Sequence, residues 1–177
     1  MPTKRAATGP WGRVPPRMKV LYVSTLGRTG GWLAATLASD RASQVRLEEV
    51  VGVTAGLARL RDEAFDAVLI SHEPRALDAV EMVEGLRAGG SEEPVVILGA
   101  APDVEMADLC YEVGTDGYCC VHTTTTRSLL WIVARAIEHR QLVRENRRLV
   151  QAERQRLQRE HREAERLLGQ QRSLIFD

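Results

Sequence analysis

Five short apolar runs, each followed by a helix-like stretch, constrain this chain more than any other feature. The runs are Val20–Val23, Val45–Val51 (the weakest), Ala67–Ile70, Val95–Leu98 and Tyr118–Val121. They are nearly unbroken and partly β-branched, which is how strands covered on both faces read. The intervening segments Trp32–Ala38, Ala55–Glu63, Leu77–Arg87 and Val104–Val113 have helical character. In the third, Leu77, Val80, Met82, Val83 and Leu86 form one apolar stripe, and Gly89-Gly90 and Gly114 stand where helix C-caps want glycine. Strictly alternating strands and helices predict a parallel sheet with helices on both faces. The expected architecture is a (βα)5 three-layer α/β sandwich over residues 18–126.

Flanking segments read differently. Residues 1–17 hold Lys4, Arg5, Arg13 and Arg17, no acid, and three prolines in the last eight residues, so a disordered basic leader is expected. Met18 opens the first obvious strand. Beyond Arg127 there is no proline, and no glycine before Gly169; Arg, Glu, Gln and Leu dominate. That composition predicts one long helix over 127–177. Its first turns, with Leu129, Leu130, Ile132, Val133 and Ile137, are apolar enough to pack on the sheet. Further on, Leu142, Asn146 and Leu149 step as a heptad seam does. After a slip of phase at Glu153, Leu157, His161, Ala164 and Leu168 resume the spacing. The expectation is a parallel homodimeric coiled coil, with Asn146 at a core position. Leu174, Ile175 and Phe176 follow the polar coil and suggest a further domain beyond it.

Charge is segregated although the total is zero: residues 18–126 hold 17 acidic and 8 basic residues, net −9, whereas 127–177 hold 12 Arg and 7 acids, net +5. The tail's arginines are interspersed with acids, the pattern of a solvated helix rather than a nucleic-acid stripe. No run approaches the ~20 apolar residues of a membrane span. Nor is there a signal-peptide core. A cytoplasmic location is expected, and with it reduced thiols at Cys110, Cys119 and Cys120.

In element order, and in FDAVLISHEP, PVVILGAA, EVGTDGYCCVH and LLWIVARAIEHRQLVRENRRL, residues 18–140 resemble the receiver domain of two-component response regulators. The resemblance implies strand order 2-1-3-4-5 and a phosphorylation pocket at the carboxyl edge of the sheet. It also implies that this pocket is degenerate. Ser24 and Thr25 stand where acidic metal ligands follow the first strand, and Ser71 where the phosphoacceptor Asp would be. Gly99 takes the place of the hydroxyl-bearing switch residue, and Val121 that of the phosphate-contacting Lys, with His122 in place of the proline. Phosphoryl transfer to a carboxylate needs oxygen ligands for a hard cation and a cation to neutralise the transferred group. A non-catalytic pseudo-receiver, without cofactor or metal, is the reading: it relays protein signals through the helix to an output domain.

Competing sites are weaker. The turn LGRTGGW could bind an anion or nucleotide through Arg28, Gly30 and Gly31 at a helix start, making the chain a small-ligand sensor. It matches no established phosphate motif. His72, His122, Cys119 and Cys120 gather near strand ends, but adjacent cysteines point to opposite faces, so no metal site is expected. For Cys110, Tyr111 and Tyr118, ordinary packing is expected.

Overall fold

A computed structural model describes residues 8–9, 12–39 and 43–175. Its central sheet comprises β1 (Arg17–Ser24), β2 (Gln44–Val51), β3 (Ala67–Ser71), β4 (Val95–Gly99) and β5 (Gly117–Cys120). All pairings are parallel, in the order β2-β1-β3-β4-β5. Between and after the strands lie α1 (Gly31–Ser39), α2 (Val53–Asp62), α3 (Ala79–Ala88), α4 (Asp103–Glu112) and α5 (Thr126–Ile175). The expected architecture and strand order are those observed.

Alternation along each strand divides the core in two. Val20 and Tyr22 of β1 join Leu33 and Leu37 of α1 with Leu130 and Val133 of α5. Leu21 and Val23, one residue out of phase, meet Met82 and Val83 of α3 with Met106 and Cys110 of α4. β3 and β4 are buried throughout. At the sheet edge β2 alternates between exposed and half-buried residues, which is why its apolar run was the faintest.

Local signals account for the element ends. Asp78 caps α3, accepting from the Val80 and Glu81 amides at 3.0 and 3.3 Å. Gly90 and Gly114, with φ of 84° and 76°, follow α3 and α4 as their sequence positions implied. Thr125 Oγ1 accepts from the Ser128 amide at 3.2 Å at the start of α5.

One expectation is corrected. Residues 14–17, assigned above to a disordered leader, belong to the domain: Val14 is buried in the α1/α5 half of the core and Arg17 begins β1. The Pro15 carbonyl accepts from Ser43 Oγ at 2.6 Å, and the Pro16 carbonyl from the Gln44 amide at 2.9 Å. A two-rung antiparallel pairing joins Thr8–Gly9 to Gly12–Arg13. The rest of the leader expectation, residues 1–7, 10 and 11, lies outside the described residues, as does Phe176. The compact unit ends at Arg140, and the helix from Gln141 onward is a second unit. No helix among the described residues is long and apolar enough to cross a membrane.

Candidate functional site at the carboxyl edge of the sheet

Pairing of Val23 with Ile70 and of Ser71 with Leu98 brings Ser24, Ser71 and Gly99 to neighbouring strand ends. Val121 follows β5, its amide donating to the Gly99 carbonyl at 2.8 Å. Ser24 is fully buried and donates to the Val50 carbonyl at 3.2 Å, so its hydroxyl is spent inside the fold. Ser71 is also fully buried, and its Oγ makes no hydrogen bond of ordinary geometry. The Tyr22 phenol lies close by; burial pushes it up from its ordinary pKa, and the Ser71 hydroxyl pulls the other way. Tyr22 Oη donates to the Arg28 carbonyl at 3.0 Å.

Glu73, two residues beyond β3, dominates the mouth of this edge. Its carboxylate accepts from Thr25 Oγ1 and lies 3.4 Å from Arg28 Nε. Arg28 also reaches the His72 carbonyl at 3.4 Å, and its amide closes a turn onto the Thr25 carbonyl at 3.1 Å. Thr25, Arg28 and Glu73 thus form a closed set: hydroxyl to carboxylate, carboxylate to guanidinium. A hard divalent cation needs about six oxygen ligands and an excess of negative charge. The carboxylate of this set is already opposed by Arg28, so these residues do not fit such an ion. Among the described residues no group of three or more His, Cys, Asp or Glu could hold a metal.

At β4 and β5 the geometry is equally closed. A Cβ at Gly99 would come within 2.9 Å of Tyr118 Cε2, so the Tyr118 ring occupies the space a side chain would need. Tyr118 Oη donates to the Ala101 carbonyl at 2.7 Å, and burial raises its pKa to about 12. Cys119 is buried and its pKa is likewise pushed up to about 12 by desolvation, with Asp103 adding to the shift. The Cys120 amide donates to Asp103 Oδ1 at 3.2 Å. His72 Nδ1 accepts from the Ala79 amide at 3.2 Å, which places His72 at the start of α3, and His122 is exposed.

The glycine-rich turn is folded inward. The Gly30 amide donates to Glu49 Oε1 at 2.7 Å, and a Cβ at Gly30 would meet Tyr22 Cδ1 at 2.8 Å. Of the three residues considered for anion binding, Gly30 therefore faces Glu49 and Arg28 faces Glu73, while Gly31 has open space around it. An incoming anion would have to displace two carboxylates of the protein.

A second polar centre, at the opposite edge of the sheet, had no sequence signal. Asp116 lies just before β5; its side chain is 1% exposed and accepts from Arg87 Nη2 at 2.9 Å, Arg140 Nε at 2.7 Å and the Val95 amide at 2.9 Å. His139 Nδ1 lies 3.2 Å from Asp116 Oδ1, the oxygen that Arg140 also meets. The Gly114 carbonyl accepts from both arginines, at 3.0 and 2.9 Å. This centre ties the end of α3, the start of β4 and the last domain-bound turn of α5 together.

In the second unit, the residues expected to form a seam, Leu142, Leu149, Leu157 and Leu168, are 64, 58, 53 and 60% exposed, and Asn146 and Ala164 are exposed too. Ion pairs within the helix, Arg148–Glu145 at 2.7 Å and Arg156–Glu153 at 2.9 Å, brace its surface.

No family model and no curated protein sequence matches the chain. Solved structures match by shape. A response regulator receiver domain protein from Clostridium thermocellum superposes with TM-score 0.59 at 19% identity, covering 71% of this chain and 98% of that one. The signal receiver domain of an HD domain-containing protein from Pseudomonas fluorescens Pf-5 gives 0.59 at 20%, covering 76% and 96%. NtrX from Brucella abortus, in complex with ADP, gives 0.61 at 21%, covering 75% of this chain and 30% of that one. The fold is that of response regulator receiver (CheY-like) domains.

Proposed function

We propose that this chain is a phosphorylation-independent pseudo-receiver, a non-enzymatic signalling module of the cytoplasm. It takes a signal from a protein partner and passes it along a parallel, homodimeric coiled coil to an output domain. The receiver fold supports a signalling role. The closed set of Thr25, Arg28 and Glu73 supports the rest: where a receiver would gather carboxylates around a cation, Glu73 is already opposed by Arg28 and Glu49 is turned onto the Gly30 amide. Ser71 in the acceptor position is buried, and among the described residues no group of three or more His, Cys, Asp or Glu could hold a metal to activate it. The exposed leucine row from Leu142 to Leu168 supports pairing of two copies, because a lone polar helix of that length gains little from packing. Register or packing changes in the pair would be the message.

The test is incubation with acetyl phosphate and Mg²⁺, read by intact mass. The chain and its Ser71→Asp variant both remain unmodified, because an acceptor alone lacks the metal ligands. A stable phosphoryl adduct on the native chain defeats the proposal. Sedimentation tests the relay separately, the expected species being a dimer. The rival reading, an anion or nucleotide sensor at Arg28, Gly30 and Gly31, requires a thermal shift with nucleotides that Gly30 and Gly31 substitutions abolish.

A further inference from the structure

Between α2 and α3 lies an open groove of about 820 Å³, whose lining residues Ala76, Leu77 and Asp78 follow closely on Glu73 in sequence. Its apolar lining comes from Leu57 and Leu60 on α2 and from Met82 and Leu86 on α3. Two glycines shape it. At Gly56 a Cβ would come within 2.9 Å of Val23 Cγ2, so α2 sits hard against the sheet there. At Gly85, which lines the groove in the middle of α3, a Cβ would meet nothing within 4 Å. Glycine in a helix interior is destabilising by ~0.5–1 kcal/mol relative to alanine, and no internal contact at Gly85 demands it. What its missing side chain provides is room on the groove side. Leu57 remains 38% exposed, an apolar surface the fold does not cover.

Asp78, Glu81 and Glu93 stand on the lining against a single base, Arg61. The surrounding segment 18–126 carries 17 acids to 8 bases, so the long-range field has the same sign as the groove. An apolar trough with acidic borders complements a helix with apolar anchors along one stripe and basic flanks. We propose that the α2–α3 groove docks a basic amphipathic helix of a partner protein, with its apolar stripe over Leu57, Leu60 and Leu86 and its cations toward Glu81 and Glu93. This is independent of whether the chain is phosphorylated or paired through its long helix.

The experiment titrates the full chain into a fluorescent leucine–lysine amphipathic peptide of about five helical turns, with a matched leucine–glutamate peptide as comparison. The lysine peptide binds and the glutamate peptide does not. Gly85→Trp, which fills the trough without changing charge, weakens binding at least tenfold; Gly85→Leu replaces it if thermal unfolding shows the Trp variant misfolded. Glu81→Lys weakens binding about tenfold, an effect that shrinks in high salt. Glu84→Lys, the same charge change on α3 away from the groove lining, leaves binding within about twofold, the small residue expected of exposed charges. Equal binding of both peptides overturns the proposal, as does equal weakening by Glu81→Lys and Glu84→Lys, or no effect of filling Gly85. Self-association of the chain that Gly85→Trp abolishes, with no peptide binding, also overturns it and assigns the groove to a second copy.

Discussion

Replacing Asp116 with alanine removes the one carboxylate on which Arg87 and Arg140 converge. The two guanidinium-bearing side chains are only 15 and 13% exposed, and they share the Gly114 carbonyl as a second acceptor. Burial already lowers the Arg87 pKa, the neighbouring Arg140 lowers it further, and Asp116 works against both. Without Asp116, two cations face each other in partial burial and the Val95 amide loses its acceptor. Breaking a buried pair by deleting one partner costs ~3–5 kcal/mol. Because neither arginine is fully enclosed, the lower end applies, ~3 kcal/mol out of the ~5–15 that holds a typical domain. Urea unfolding of Asp116→Ala therefore shows a lower midpoint with an unchanged slope. A double-mutant cycle with Arg140→Met recovers a coupling of ~1 kcal/mol or more, since the second change removes one of the two stranded cations. A loss below ~1 kcal/mol, or zero coupling, refutes the reasoning, because both follow only if the carboxylate is what makes that burial tolerable.

Gly85→Ala stabilises the chain by ~0.5–1 kcal/mol in the same urea assay, since helix propensity improves and the new methyl meets nothing; destabilisation would show that the groove wall is closed in solution. Cys119, with its pKa raised from 9.0 to about 12, holds its proton more tightly folded than unfolded. Its contribution to stability is whole below pH 9 and is lost as pH rises toward 12, so mass-mapped alkylation at pH about 8.5 finds Cys119 protected until the chain unfolds. Labelling as fast as in the unfolded chain contradicts this. Leu149→Asp, at a 58% exposed position of the proposed seam, leaves the unfolding of the sheet domain unchanged and weakens the proposed dimer at least tenfold by sedimentation. An unaltered dimer would place the pairing surface elsewhere.

The sheet was legible because its central strands are buried on both sides and so read as continuous apolar runs; β2 was faint because an edge strand alternates. Helix ends were legible at Gly90 and Gly114, where the backbone takes a positive φ. Val14 was not, since one buried residue beside two prolines has no periodicity to betray it. The same limit applies to the polar centres. Thr25 and Glu73 meet across 48 positions, and Asp116 meets Arg87 and Arg140 across 29 and 24. Such convergence depends on where loops leave strands, which spacing along the chain does not record. The receiver pattern places acids directly after β1, whereas Glu49 and Glu73 come from β2 and from the turn after β3.

The Tyr118 ring over Gly99 has a consequence for how such a chain can change. A hydroxyl side chain introduced at position 99 would strike a tyrosine anchored by its own hydrogen bond to Ala101. A threonine or serine there therefore demands a simultaneous change at 118, and either substitution alone is penalised, by collision or by a void. Packing at this spot therefore couples positions 99 and 118: neither can change in size without the other.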